Sequence, residues 1–176
     1  MSDLKVHIVT LPPMRVICFN GFGRSPEGVA YTKASNWLKA HGMWEDRKSH
    51  RYFGFNNPNP SPGSPNYGYD VWVTVDETVQ AEGDARIVEF PGGLYAMTRV
   101  DAGPNGEGIY ETWQALAAWV DHSKYKAQYC RRECLEESID PFLGSPSGFT
   151  LNLYEPITEE SGVNRSGGSA IATGIH

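Results

Sequence analysis

No stretch of this chain is apolar and long enough to cross a bilayer, and the N-terminal MSDLKVHIVTLPP has no signal-type apolar run. Cysteine is scarce: Cys18, Cys130 and Cys134 are an odd number without a C-x-x-C spacing. That excludes a disulfide scaffold and a zinc-ribbon site, and points to a reducing, cytoplasmic setting with no membrane partner. The histidines, at positions 7, 41, 50, 122 and 176, form no pair at metal-ligand spacing, so no metal is expected. Basic residues never cluster. Lys124, Lys126, Arg131 and Arg132 are interrupted, and 15 Lys and Arg against 21 Asp and Glu give a formal charge of −6. A nucleic-acid-binding face should be basic, so direct nucleic-acid binding is not expected.

Motifs of enzymes and cofactor sites are also missing. There is no G-x-S-x-G. Asn20-Gly21-Phe22-Gly23 precedes a helix, but Pro26 stands where a dinucleotide loop needs its third glycine. Nothing offers a convincing haem ligand. No cofactor is expected.

What the chain does have is apolar and aromatic content enough for a core: 176 residues, 40% hydrophobic and 12% aromatic. Ser25-Pro26-Glu27 predicts a helix start and Gly42 its stop. Strands are expected at residues 4–10, 15–19, 51–55, 67–75, 94–100, 134–139 and 149–154, and a second helix over 109–121. In that helix Tyr110, Trp113, Leu116 and Val120 form an apolar stripe. Trp37, Trp113 and Trp119 read as helix-to-sheet packing. After Ile157 the composition turns Gly- and Ser-rich, which predicts a flexible tail over 158–176.

The order strand, helix, strand, strand occurs twice, and landmarks recur at a near-constant interval. Pro12 and Pro91 are 79 apart, Trp37 and Trp119 are 82, Pro58 and Pro141 are 83, Trp72 and Tyr154 are 82. Matched residues at a fixed period mark a duplication. The expected architecture is α+β: one domain over 1–157, with halves at about 5–80 and 85–157. Two β-α-β-β units would be related by a pseudo-two-fold axis. Their antiparallel sheets, each backed by one helix, would flank a central cleft.

Alternation in GYDVWVTV puts Val71, Val73 and Val75 beneath the helix and Asp70, Trp72 and Thr74 on the other face. The offset extends that second face to Asn152 and Tyr154. Phe53 and Phe55 share a face, and aligning Asn57-Pro58 with Asp140-Pro141 adds Glu136 and Ser138 to it. The expected cleft thus holds Phe53, Phe55, Trp72 and Tyr154 around the Glu136 carboxylate, with Tyr95 and Tyr110 nearby. Glu137 is expected to face outward. A carboxylate among rings suits an organic cation, through charge and cation–π attraction.

The segments FGFNNPNPSPGSPNYGYDVWVTV, EFPGGLYAMTRV, ETWQALAAWV and CLEESIDP resemble the GyrI-like family, over about residues 5–157. This is the effector-binding domain of AraC-type and MerR-type multidrug regulators and of stand-alone proteins. The resemblance implies the duplicated fold and a strand glutamate that meets lipophilic cations. The family's strand, Phe-Glu-x-Tyr, reads Leu135-Glu136-Glu137-Ser138 here, so the glutamate matches at Glu136 and the tyrosine is replaced by Ser138. Aromatic positions carry over to Phe55, Tyr95, Tyr110 and Tyr154. With no helix-turn-helix before the first strand, the chain resembles the stand-alone type. Such proteins sequester toxins, hydrolyse cyclopropane-bearing genotoxins or inhibit DNA gyrase. Three functions follow as expectations: binding of a hydrophobic, cationic small molecule; hydrolysis of an electrophile with Glu136 as general base; and interaction with gyrase. An exposed strand edge leaves a homodimer open.

Overall fold

The computed structural model describes residues 4–142 and 146–159. The elements run β1 (His7–Leu11), β2 (Met14–Gly23), α1 (Pro26–Ala40), a short 3-10 turn (Arg47–Ser49), β3 (Tyr52–Asn56), β4 (Tyr67–Thr74), β5 (Arg86–Phe90), β6 (Gly93–Ala102), α2 (Ile109–Asp121), β7 (Tyr125–Ala127), β8 (Leu135–Ile139) and β9 (Phe149–Glu159). The expected tail begins inside β9, at Thr158 and Glu159; its remainder lies outside the described residues.

Both helices form where the local chemistry asks for them. α1 opens with Pro26 at its first position and Glu27 in its first turn, which suits the unpaired N–H groups there. It closes in a Schellman turn: Gly42 adopts φ 68, Met43 N–H donates to Leu38 C=O at 2.8 Å and Gly42 N–H to Lys39 C=O at 3.2 Å. α2 starts after Gly108, whose φ of 91 few side chains tolerate.

The strands join in the order β1-β6-β9-β8-β3-β4-β2-β5, all antiparallel, with β7 added on β9. The order is a palindrome of the two units, β2-α1-β3-β4 and β6-α2-β8-β9. The strand preceding each unit crosses to the other one: β1 pairs with β6, and β5 with β2. The α+β duplication is therefore as expected. Its two sheets are halves of one continuous sheet, joined where β3 meets β8 through Tyr52–Ser138, Phe53–Glu137 and Gly54–Glu136.

Register assigns every side chain to a face. One row across the sheet reads Phe19, Val71, Gly54, Glu136, Leu153, Thr98. Both helices pack on this face. α1 covers Ile17, Phe19, Val71 and Val73, and α2 covers Ala96, Val100, Leu151 and Leu153. The adjacent row reads Cys18, Trp72, Phe53, Glu137, Asn152, Arg99, on the opposite face.

Among the described residues no helix packs on that opposite face, yet it is closed. Phe55, Trp72, Phe90, Tyr95, Tyr154 and Phe53 form a chain of ring contacts at 4.9–6.5 Å. Phe90 lies on an edge strand and Tyr95 on a strand near the other edge, so the sheet must curl for them to meet. Phe53 and Tyr95 are fully buried. Each large ring removed from water contributes roughly 1.5–3 kcal/mol, enough to hold the curl without a covering layer.

Candidate functional site

Because both helices stand on one face, the gap between them is a cleft floored by the centre of the sheet. Its volume is about 750 Å³, and its walls include Glu27 and Tyr31 of α1, Tyr67 and Tyr69 of β4, Tyr110 and Trp113 of α2, and Phe149 of β9. Glu136 and Ser138, on β8, form the floor. Among the described residues, no Lys or Arg lines it.

Among the described residues, Glu136 is held by hydrogen bonds and forms no ion pair. Tyr69 donates its hydroxyl to Oε2 at 2.7 Å, and Trp113 donates its indole N–H to Oε1 at 3.0 Å. Indole is a donor only, so this contact marks Oε1 as an acceptor. Burial pushes the Glu136 carboxyl above the ordinary range; the Tyr69 and Trp113 hydrogen bonds pull it down, and the Glu27 charge adds to the rise. The same burial and the adjacent Glu136 charge raise the Tyr69 phenol. Beside them, the Tyr31 hydroxyl and Ser138 Oγ share a 2.7 Å hydrogen bond.

The duplication explains how Tyr69 reaches its acceptor. Gly54 stands 82 residues before Glu136, at the equivalent place in the first unit and directly across β3–β8. A Cβ there would sit 2.2 Å from the Tyr69 hydroxyl and 2.6 Å from its ring. One half contributes the carboxylate, and the other leaves room for the phenol that meets it. Gly54→Ala should therefore displace a buried ring and cost about 1–3 kcal/mol. Urea unfolding measures this; an unchanged midpoint would mean that Tyr69 is not held against Gly54.

The residues expected to share one cleft are divided between the faces. Glu136, Ser138 and Tyr110 lie in the helix-side cleft, Tyr110 with 69% of its surface exposed. Phe53, Trp72, Tyr95, Asn152 and Tyr154 are buried on the opposite face and do not line it. Phe55 is mostly buried there too, though it borders a recess of about 340 Å³ that shares Asn56, Trp113 and Glu136 with the cleft. For Glu136 and Ser138 the cause is an offset of a single residue. The Pro58–Pro141 interval of 83 is odd, and an odd shift moves a strand side chain to the other face. The interval of 82, already present at Trp37–Trp119 and Trp72–Tyr154, places Glu136 over Gly54 on the helix face.

Glu137 is likewise the reverse of the outward residue expected. It is 7% exposed and accepts from Arg51 Nε at 2.6 Å, Tyr154 hydroxyl at 2.5 Å and Asn152 Nδ2 at 3.2 Å. Burial opposes its charge, but these three donors and the Arg51 charge outweigh it and hold the carboxyl below its ordinary range. Trp113, expected as packing, faces the cleft instead. Glu27, Tyr31, Tyr67 and Tyr69 were missed. The alternation that put Val71 and Val73 under the helix, continued backwards, reaches Tyr69 and Tyr67 on the same face.

Among the described residues, no three His, Cys, Asp or Glu side chains come together to hold a metal. No helix there is long and apolar enough to cross a membrane.

No curated protein sequence matches the chain. Solved structures share its fold at low identity. The C-terminal domain of EcmrR is 12% identical with a TM-score of 0.64, over 90% of this chain and 99% of that domain. Against EcmrR in its DNA complex the TM-score is 0.68 at 11% identity, and the match spans 91% of this chain but 59% of the EcmrR chain. A hydrolase from Listeria innocua is 14% identical with a TM-score of 0.61, over 90% of this chain and 94% of that one. SAV2435, in a structure bound to tetraphenylphosphonium, is 10% identical with a TM-score of 0.51, over 88% and 94%. These likenesses bear out the GyrI-like fold. By the match of its family model to residues 7–157, the chain belongs to the Cass2 family of integron-associated effector-binding proteins.

Proposed function

We propose that the helix-side cleft binds a hydrophobic organic cation, with Glu136 as its counter-charge. The observation that carries this reading is a half-buried carboxylate with two neutral donors and, among the described residues, no ion-pair partner, at the floor of a ring-lined cleft to which the described residues bring no Lys or Arg. Tyr31, Tyr67, Tyr69, Tyr110 and Trp113 supply apolar area and ring faces, and cation–π contacts add roughly 0.5–2 kcal/mol. Serine in place of the family's tyrosine at position 138 widens the floor. The bound tetraphenylphosphonium of SAV2435 shows that this fold accepts such a cation in that protein, and a ligand of the same class is the natural first probe here.

The reading carries a pH dependence whose sign is fixed. A cation favours ionised Glu136, whose carboxyl lies above its ordinary value of 4.5 in the free protein. Affinity for tetraphenylphosphonium, followed by tryptophan fluorescence, should plateau at high pH. It should fall as pH drops through the raised value and level off near the affinity of Glu136→Gln, and binding near that pH should release a proton. Circular dichroism keeps the comparison within the folded range. A profile that stays flat until the ordinary glutamate range would show that the cation does not meet Glu136.

A second reading rests on the same raised carboxyl. A base above the ordinary carboxylate range suits removal of a proton from water, with the Tyr31 or Tyr69 hydroxyl as donor to a leaving atom. The Listeria hydrolase shares the fold, which by itself carries no activity across. Mass spectrometry of a strained-ring electrophile incubated with the protein separates the readings: a hydrolysed product that Glu136→Gln fails to form supports the hydrolase.

A further inference from the structure

We infer that Glu27 is a second charge-recognition residue of the cleft, which therefore selects dications with two separated positive centres over monocations of the same shape. The inference rests on the cation reading of Glu136. It comes from how β4 presents its two tyrosines. Tyr67 and Tyr69 are two residues apart and share the helix face, their Cα atoms about 6.7 Å apart along the strand. Each donates its hydroxyl to a different carboxylate: Tyr69 to Glu136 at 2.7 Å and Tyr67 to Glu27 at 2.6 Å.

The two acids belong to different parts of the site. Glu136 rises from the sheet floor, whereas Glu27 stands in the first turn of α1 at the rim. Its place is fixed by close packing, since a Cβ on Gly21 would lie 2.1 Å from the Pro26 carbonyl oxygen. Neither carboxylate forms an ion pair among the described residues, whereas buried Asp70 and Glu137 are each matched by an arginine. The Glu27 charge adds to the rise of the Glu136 carboxyl. The aromatic surface between them belongs to the same 750 Å³ cleft. A ligand that spans the tyrosine pair meets one acid at each end.

The test compares α,ω-bis(trimethylammonium)alkanes of increasing length with alkyltrimethylammonium ions of the same chain length, by tryptophan fluorescence at low salt. In the wild-type protein the best dication should bind about fivefold to tenfold tighter than its matched monocation, beyond the statistical factor of about two. The optimum should fall at an intermediate length, a charge separation of roughly 6–10 Å. Glu27→Gln should reduce the ratio to about two, because it weakens dication binding more than monocation binding. Tyr67→Phe, which keeps the charge, should preserve the ratio. A ratio that never exceeds about two at any length, or that survives Glu27→Gln, overturns the second site while the first stands. If neither ion binds, the cation reading of the cleft falls as well.

Discussion

Glu136→Gln is expected to weaken tetraphenylphosphonium binding by about tenfold to a hundredfold at neutral pH, a loss of about 1.4–2.8 kcal/mol. The substitution keeps shape and volume, and the amide oxygen can still accept from Tyr69 or Trp113. The charge is lost, and one acceptor with it: the amide NH2 can face Tyr69, whose hydroxyl can turn to accept, while the oxygen accepts from Trp113. At an effective dielectric near 20, unit charges about 4 Å apart attract by roughly 4 kcal/mol. Desolvation of the carboxylate takes part of that attraction away, but burial has already imposed much of that cost on the free protein, as the raised carboxyl records. A neutral ligand of similar shape should bind both proteins alike. Equal cation affinity in wild type and variant would remove Glu136 from recognition.

The neighbouring residue should behave in the opposite way. Glu137→Ala is expected to destabilise the fold by about 2–3 kcal/mol, because it leaves three donors, on Arg51, Tyr154 and Asn152, without their acceptor. The Arg51 side chain is 38% exposed and can rehydrate, which keeps the cost below that of a fully enclosed pair. For a chain of this length the melting temperature should fall by roughly 5–10 °C. The pH dependence follows from the lowered carboxyl. A group more acidic in the folded than in the unfolded chain contributes full stability above its unfolded value, here 4.5, and loses it as pH falls through the folded value. The gap between wild type and variant should therefore be widest at neutral pH and close under acid. A gap that does not change with pH would mean that packing, and not the ionised network, is what Glu137 provides. Below its melting temperature the variant should still bind tetraphenylphosphonium, since Glu137 lies on the other face of the sheet.

This contrast between adjacent glutamates shows where sequence reading reached its limit. Local signals were legible: Ser25-Pro26-Glu27 and Gly42 bounded α1, the apolar stripe marked α2 at its observed ends, and the repeated order revealed the duplication. β5 and β7 were not. β7 is three residues long and exists only because β9 runs past Pro156 to meet it. β5 is a short edge strand whose partner lies more than 60 residues away, so its own residues carry little pattern.

The candidate site was half legible. Glu136 could be singled out, but its surroundings depended on parity, and one landmark of odd interval turned the strand over. The closed face depended on something no local pattern holds. β1 and β5 cross between the units and draw the sheet into a curl, so rings that alternate like a ligand wall become a core. Gly54 is the residue whose meaning most needed the structure. In the sequence it is a gap in an aromatic strand; in the fold it is the space through which Tyr69 reaches Glu136.

The most direct test of the account is which face of the sheet a ligand touches, and the indole N–H resonances report it. The chain has five tryptophans. Trp113 donates to Glu136 inside the cleft, and Trp72 lies buried among the rings of the opposite face. In a proton–nitrogen correlation spectrum assigned with Trp113→Phe and Trp72→Phe, titration with tetraphenylphosphonium should shift the Trp113 indole signal and leave that of Trp72 in place. Movement of Trp72 with Trp113 unchanged would put the ligand on the opposite face and contradict the account.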